Sequence, residues 1–309
     1  MLSFFKKSKK IEETKDHRAT SSSRNPDVAP PEWAPAPERS YQYGKYGDAP
    51  GDEYEAGEEF CMTHPLSPPR LLPSHIIDRI QSHGGRAWGI EYPSLSRFSG
   101  TISNDNKGGP GVVKVQTTPE CGDVCLMSDL PILAGLYDTY GKTGVYYEIQ
   151  IHRMKKCIAV GTACRPYPEY RLPGWNRQSA GLHLDDMRKF FEDPDGGRDY
   201  TSDRTRINPG DTIGCGYEFT TGSLFYTHNG CRLPEAFNGL YLPRQNFDVF
   251  AAVGVEGECD FDVNFGGDYF KWKDGNEWAW KIEGHVGGNI ASGSGLRGEV
   301  DEELPAYSL

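Results

Sequence analysis

The side chains best suited to chemistry in this sequence are its eight cysteines and eight histidines. Cys157 and Cys164, with His152 and His183, offer the thiol and imidazole types of a nucleophilic pair. Such a pair works only when thiol and ring meet at hydrogen-bond distance and a third group orients the base. Asp185 and Asp186 follow His183 closely, but aspartates in a polar loop more simply bond nearby backbone N–H groups. Cys121 and Cys125 form the tightest cysteine pair, and the two further ligands of a zinc site are not evident. Buried, reduced thiols are the simpler reading. Gly108-Gly109-Pro110-Gly111 precedes a strand-like run, the reverse of the strand–loop–helix order of a phosphate loop. Glu256, Glu258, Asp260 and Asp262 suggest calcium, yet Asp260 and Asp262 alternate with Phe261 and Val263, as carboxylates on the solvated face of a strand do. The reading is therefore non-enzymatic, with no catalytic residue, metal or cofactor.

Two stretches suit binding instead. Arg165 to Trp175, RPYPEYRLPGW, holds three aromatics, two arginines and three prolines in eleven residues. Tyr, Trp and Arg supply most of the energy at protein interfaces, and proline lowers the entropy lost on docking. Leu172 and Trp175 are expected to fold back onto a core, and Tyr167, Tyr170 and Arg171 to be displayed. The second stretch is Leu304-Pro305-Ala306-Tyr307, the LPxY form of the motif read by WW domains. In that mode a polyproline-II turn lays Pro305 between aromatic rings and Tyr307 fills the adjacent pocket.

The elements that position these stretches read as strands. From Gly210 to Phe237, Ile213, Cys215 and Tyr217 alternate with smaller or polar residues, Thr220 to Ser223 breaks the run, and Leu224 to Thr227 resumes it. Asn229-Gly230 marks a second tight turn. Val145, Tyr147, Ile149 and Ile151 alternate in the same way. Strands recur between turn clusters at sandwich spacing. Upstream, Ser74 to His83 predicts a short helix with Ile76, Ile77 and Ile80 on one face, capped by Ser74 and ended by Gly84-Gly85. The fold class is all-β, with residues 1–59 a disordered tail and 60–282 the ordered domain, its core at 144–270. Residues 283–309, Gly-rich from the start, read as a flexible tail ending in LPxY.

A net charge of −11 argues against nucleic acid, which needs a basic face. The absence of an N-x-[ST] sequon and of a secretory signal favours the cytoplasm. Met1 to Lys10 reads MLSFFKKSKK. Leu2, Phe4, Phe5 and the lysines after them could touch an anionic membrane surface weakly; a disordered basic start is the simpler reading.

Several blocks together carry a resemblance. GDTIGCGYEFTTGSLFYTHNG is similar to the central hairpin of the SPRY domain, and Gly144-Val-Tyr-Tyr-Glu-Ile-Gln-Ile151 and Ile158-Ala-Val-Gly161 to its opening core strands. Arg171-Leu-Pro-Gly-Trp175 and Ser179-Ala-Gly-Leu-His-Leu-Asp-Asp186 resemble a segment of Ran-binding SPRY proteins; Phe250 to Val255 and Val263-Asn-Phe-Gly266 resemble the closing strands. The resemblance implies a bent antiparallel β-sandwich whose end loops bind peptides, with Tyr170, Arg171 and Leu172 on that surface. With the LPxY motif, the chain looks like fungal SPRY adaptors of HECT-type ubiquitin ligases, which sit on endosomal or vacuolar membranes. Those proteins have an N-terminal transmembrane helix where this sequence shows only the short apolar start, which leaves three readings: a soluble protein, peripheral attachment, or a true start upstream of Met1. What the resemblance implies is an adaptor that holds a client on its SPRY loops and recruits a WW-domain ligase for ubiquitin-dependent sorting. The alternative is a Ran-binding-type scaffold subunit of a multi-subunit ligase or chromatin complex. RLPGW favours it, but such scaffolds carry helical modules after the domain.

Overall fold

Side-chain alternation along the chain becomes two packed antiparallel sheets. The computed structural model describes residues 51–104, 111–201, 206–277 and 282–291. Two helices come first, α1 (Gly51–Thr63) and α2 (Ser74–His83). The strands that follow are β1 (Gly100–Ser103), β2 (Val112–Thr117), β3 (Val124–Met127), β4 (Leu133–Ala134), β5 (Gly144–Met154), β6 (Cys157–Cys164) and β7 (Ser179–His183). Next are β8 (Arg188–Phe191), β9 (Arg198–Asp199), β10 (Thr212–Glu218), β11 (Ser223–His228), β12 (Cys231–Phe237), β13 (Asp248–Glu256) and β14 (Cys259–Asn264). Two short helices close the described chain, α3 (Lys273–Glu277) and α4 (Glu283–Val286).

One sheet has the order β1-β2-β14-β5-β10-β11-β12; the other runs β3-β13-β6-β7-β8-β9, with β4 also paired to β13. In the first, β5 lies between β10 and β14, so that Ile149 opposes Ile213 on one side and Val263 on the other. Tyr147, Ile149 and Ile151 enter a single core with Ile158, Val160, Leu182 and Val253 of the second sheet. Tyr147 also ties the sheets together by a polar contact: its hydroxyl donates to the Gly161 carbonyl at 2.6 Å and accepts from the Gly161 N–H at 3.1 Å. The Asn229-Gly230 turn joins β11 to β12 with both residues at positive φ, as the two-residue hairpin turn demands.

Residues before β5 complete this sandwich. β2 extends the first sheet beside β14, and β3 extends the second beside β13. Ile80 of α2 is buried in the core and Ile76 and Ile77 pack half-buried against it. The helix has the expected bounds, but its N-cap is Pro73, without a side-chain cap bond; Ser74 is already helical. Trp88 lies fully buried in the same core. Beyond β14, Phe270 and Trp272 cover Tyr146 and Phe225 on the outer face of the first sheet. Trp278 and Trp280 lie outside the described residues.

Two expectations need correction. Residues 51–59 are not disordered: they belong to α1, which has no apolar stripe and therefore no sequence signal. Residues 283–291 are not a loose linker either. Ile282, His285 and Val286 are buried in the main core, and Ile290 bridges Tyr137. The glycines around Val286 suggested a linker by composition, while its few apolar residues make the contacts. Asp185 to Phe191 forms a turn and then β8. The remainder of both tails lies outside the described residues, and among these no helix is long and apolar enough to cross a membrane.

Candidate functional site

Between β6 and β7 the chain runs through the segment rich in Tyr, Arg and Pro, and it lies back against the outer face of the second sheet. Two glycines permit this. A Cβ on Gly181 would sit 2.1 Å from the Pro173 carbonyl oxygen, and one on Gly254 would sit 2.7 Å from Pro173 Cδ. Gly174 then turns the chain at φ +97, a left-handed conformation that suits glycine. Gly181→Ala should therefore lift the loop and lower the unfolding free energy by about 1–3 kcal/mol, read as a fall in the urea midpoint at unchanged m-value. An unchanged midpoint would mean that the close approach carries no stability.

Leu172 and Trp175 are buried, as expected, in a small cluster with Cys157 and Phe190. Tyr167 is not displayed. It packs with Cys125, Met127, Ala163 and Ala252, and its hydroxyl donates to the Leu172 carbonyl at 2.6 Å while accepting from Asn176 N–H at 3.3 Å. The reason is long-range: β3 and β13 supply the apolar floor under its ring. Arg171 is not displayed either; it is 2% exposed. Its guanidinium lies over the Trp175 ring at 4.4 Å and its Nε donates to Asn176 Oδ1 at 3.0 Å. Burial lowers its pKa, and the neighbouring Tyr167, Glu53, Asp123 and Tyr170 pull it back. Of the three residues expected on display, Tyr170 alone remains partly accessible.

Tyr170 edges a cavity of about 380 Å³ that is also lined by Phe60, Leu95, Met127, Arg165 and Glu169. Each wall is fixed by bonds across the fold. Glu169 accepts from the N–H and hydroxyl of Ser94 at 2.9 Å each, and its carbonyl accepts from Cys125 N–H at 2.7 Å. Arg165 pairs with Glu91 at 2.7 Å, donates to the Ser128 carbonyl at 2.8 Å and lies 4.3 Å over Phe250. The result is a preformed, mainly apolar recess with an arginine, a glutamate and a tyrosine at its rim, the composition of a binding site. Next to it stand Arg97, Asp123 and Glu53. Burial, together with the Glu256 and Glu53 carboxylates, pushes Asp123 up to about 7, against the pull of Arg97 and Arg171.

The groups singled out for chemistry are placed differently. Cys157, His183 and Asp185 do come together, their donor atoms within 4.8 Å of one another. The Cys157 thiol donates to Asp185 Oδ1 at 3.3 Å, and burial pushes that thiol well above its ordinary pKa, away from the thiolate a nucleophile needs. His183 Nε2 bonds the Pro173 carbonyl at 3.0 Å, and burial holds its pKa down at about 4. Cys164 is buried elsewhere on β6, and His152 pairs with Asp262 at 3.1 Å. Members of the acidic run each have their own partner: Glu256 meets Lys156 at 2.7 Å, Glu258 meets Arg153, and Asp260 accepts from the neutral Gln116 amide at 3.1 Å. These are the solvated strand carboxylates that the alternation predicts.

Residues 144–268, the span from β5 through β14, match the SPRY domain family. The chain carries a SPRY domain. Protein ssh4 of Sclerotinia sclerotiorum is 30% identical over 260 residues, which cover 81% of this chain and 44% of that protein. Protein ssh4 of Neurospora crassa is 32% identical over 236 residues, covering 74% of this chain and 42% of its own length. The chain thus spans less than half the length of these relatives. A crystal structure of a human SPRY domain aligns with a TM-score of 0.40 at 22% identity, covering 59% of this chain and 99% of that one. The SPRY domain is a protein-interaction fold. Around it this chain adds the segment from α1 to β4 and the return through α3 and α4. Sequence reasoning missed Phe60, Leu95 and Met127 in the recess, and Arg97, Asn176 and Arg177 beside it. None of them falls in a pattern that spacing alone could flag, since strand pairing and α1 bring them to the loop.

Proposed function

We infer that this chain is a non-enzymatic adaptor. The recess edged by Tyr170 holds a client protein, and Leu304, Pro305 and Tyr307, which lie outside the described residues, recruit a WW-domain HECT ubiquitin ligase for ubiquitin-dependent sorting. The observation that carries the reading is the recess itself: a tyrosine, an arginine and apolar walls around about 380 Å³ on a protein-interaction fold. Likeness to the ssh4 proteins over most of this chain supports it. The adaptor works on the cytoplasmic side, peripheral to endosomal or vacuolar membranes, and Leu2, Phe4 and Phe5 with the following lysines give at most a weak lipid contact.

Each arm has its own test. A peptide spanning Glu299 to Leu309 should bind WW domains of HECT ligases saturably, and a Tyr307→Ala peptide should lose at least tenfold in affinity. Equal binding of the two removes the ligase arm. On the other arm, Tyr170→Ala in the full chain should weaken client capture about tenfold, the scale of an aromatic interface residue. Capture at full strength would move the client off this recess.

A further inference from the structure

A helix whose one fully buried residue is a glycine has little apolar reason to dock, with only Phe60 and Cys61 half-buried at its end. α1 carries five carboxylates, Asp52, Glu53, Glu55, Glu58 and Glu59, with no lysine or arginine, and Gly57 is its one buried residue. Glu55 repels Glu58 and Glu59 at the spacings where helical side chains meet. Thirteen residues is a marginal length for a helix on its own, and a glycine inside one costs about 1 kcal/mol relative to alanine.

What holds α1 is the surface beneath it. Arg97 donates to Glu53 Oε1 at 2.7 Å, and Asn176 Nδ2 donates to Glu58 Oε1 at 2.9 Å. The Arg177 guanidinium donates to the carbonyls of Cys61 and His64, at the end of the helix where acceptors lack partners and positive charge is favoured. The fit at Gly57 is tight: a Cβ there would lie 3.2 Å from the Asn176 amide and 3.3 Å from Arg171 Cδ. Below, one terminal nitrogen of buried Arg171 and the Trp175 indole N–H have no hydrogen-bond partner among the described residues. An unpaired buried donor is costly, and a cationic one more so. The surface therefore has more donor capacity than α1 satisfies.

We propose that α1 is a displaceable internal ligand of the arginine face formed by Arg97, Arg171 and Arg177, and that the client of this SPRY domain is an acidic segment with a small residue at its centre that takes its place. The proposal rests on the reading of the loop between β6 and β7 as the client surface. It explains why Arg171 is covered: α1 occupies the place the client would take above it. Phe60, at the end of α1, also lines the recess beside Tyr170, so release of the helix would open the recess as well. The small central residue is favoured because even a Cβ above Arg171 and Asn176 would press on them at 3.2–3.3 Å, closer than ordinary contact.

The test uses the full chain in wild-type, Gly57→Leu and Glu53→Gln forms. The first variant undocks α1 by bulk; the second removes one ion pair without changing shape and covers the case in which the first misfolds. The probe is a labelled peptide of residues 51–63. Hydrogen exchange of the amides of residues 51–63 should rise at least tenfold in either variant, and in wild type on going from 0.05 to 0.5 M salt, where the Debye length falls to a few ångströms. The Gly57→Leu chain should bind the peptide at least tenfold more tightly than wild type, and a peptide with its carboxylates replaced by amides should not bind. Unchanged exchange in both variants, or equal affinity for charged and amidated peptides, overturns the proposal. Should a client bind wild type and Gly57→Leu equally well, the adaptor reading stands and the displacement proposal falls. If the charged peptide binds as described but Tyr170→Ala leaves client capture intact, the displacement stands and the client site moves.

Discussion

Trp88→Ala is expected to remove about 3–5 kcal/mol of folding free energy, the usual cost of truncating a large buried aromatic. Trp88 is 1% exposed, and its indole N–H donates to the Pro131 carbonyl at 3.2 Å. Alanine would leave a cavity in the main core and an acceptor without its donor. Domains are stable by only about 5–15 kcal/mol, so the variant should stand close to unfolding at physiological temperature. Urea denaturation followed by far-ultraviolet circular dichroism reads the change directly. Trp88 precedes the SPRY match at residue 144, so a large loss would establish the N-terminal extension as part of the folding unit. A loss below about 1 kcal/mol would show the extension to be a separable appendage, since even a modest core cavity costs more.

The second large effect is a dependence on pH that His285 carries. Burial, with Arg244 and Lys142 nearby, lowers its pKa to about 3, against the pull of the Ile282 carbonyl. Its Nε2 accepts from the Ala134 N–H at 3.2 Å, so a proton there would oppose donor to donor. In the unfolded chain the same ring takes up a proton below about pH 6.5. The unfolded state therefore binds the extra proton between about 6.5 and 3, and this residue's contribution to stability is complete above that window and falls as the pH drops through it. Several buried carboxylates titrate in the same range, so the informative quantity is the difference between wild type and His285→Gln, in which those groups cancel. At pH 7 the variant should be the less stable by about 1–2 kcal/mol, from one weakened buried bond. By pH 4.5 the wild type should have lost about 3 kcal/mol relative to the variant, two pH units of linkage at about 1.4 kcal/mol each, so that the order of stability reverses. Parallel pH profiles would show that His285 is protonated in the fold or accessible to solvent.

Much of the sandwich was legible because its signals are local. The alternation in β5, the paired runs of β10 and β11 and the Asn229-Gly230 turn each need only neighbouring residues. The bounds of α2 follow from its three isoleucines and the glycines that end it. The binding loop was legible in part. Leu172 and Trp175 were expected to be buried, since large apolar groups in a turn need a floor. Tyr167 and Arg171 were misread because what covers them is distant in sequence: β3 and β13 for the tyrosine, α1 for the arginine. α1 itself was illegible, because its order comes from arginines on another element rather than from an apolar stripe of its own. His285 and Val286 were hidden among glycines, although two buried side chains are enough to bring that stretch back to the core.

That return sets a length scale for the far end of the chain. Ala291 is held by its N–H bond to the Leu136 carbonyl, 2.8 Å away. Leu304 is thirteen chain steps from it, against twenty-one had the leash begun at Glu283. A fully stretched chain gains at most about 3.5 Å per residue, so the radius shrinks from roughly 75 Å to roughly 45 Å. A partner that gripped Pro305 and Tyr307, as proposed above, would be tethered within that radius of Ala291, and its reach over a client would be set by its own dimensions added to this short leash.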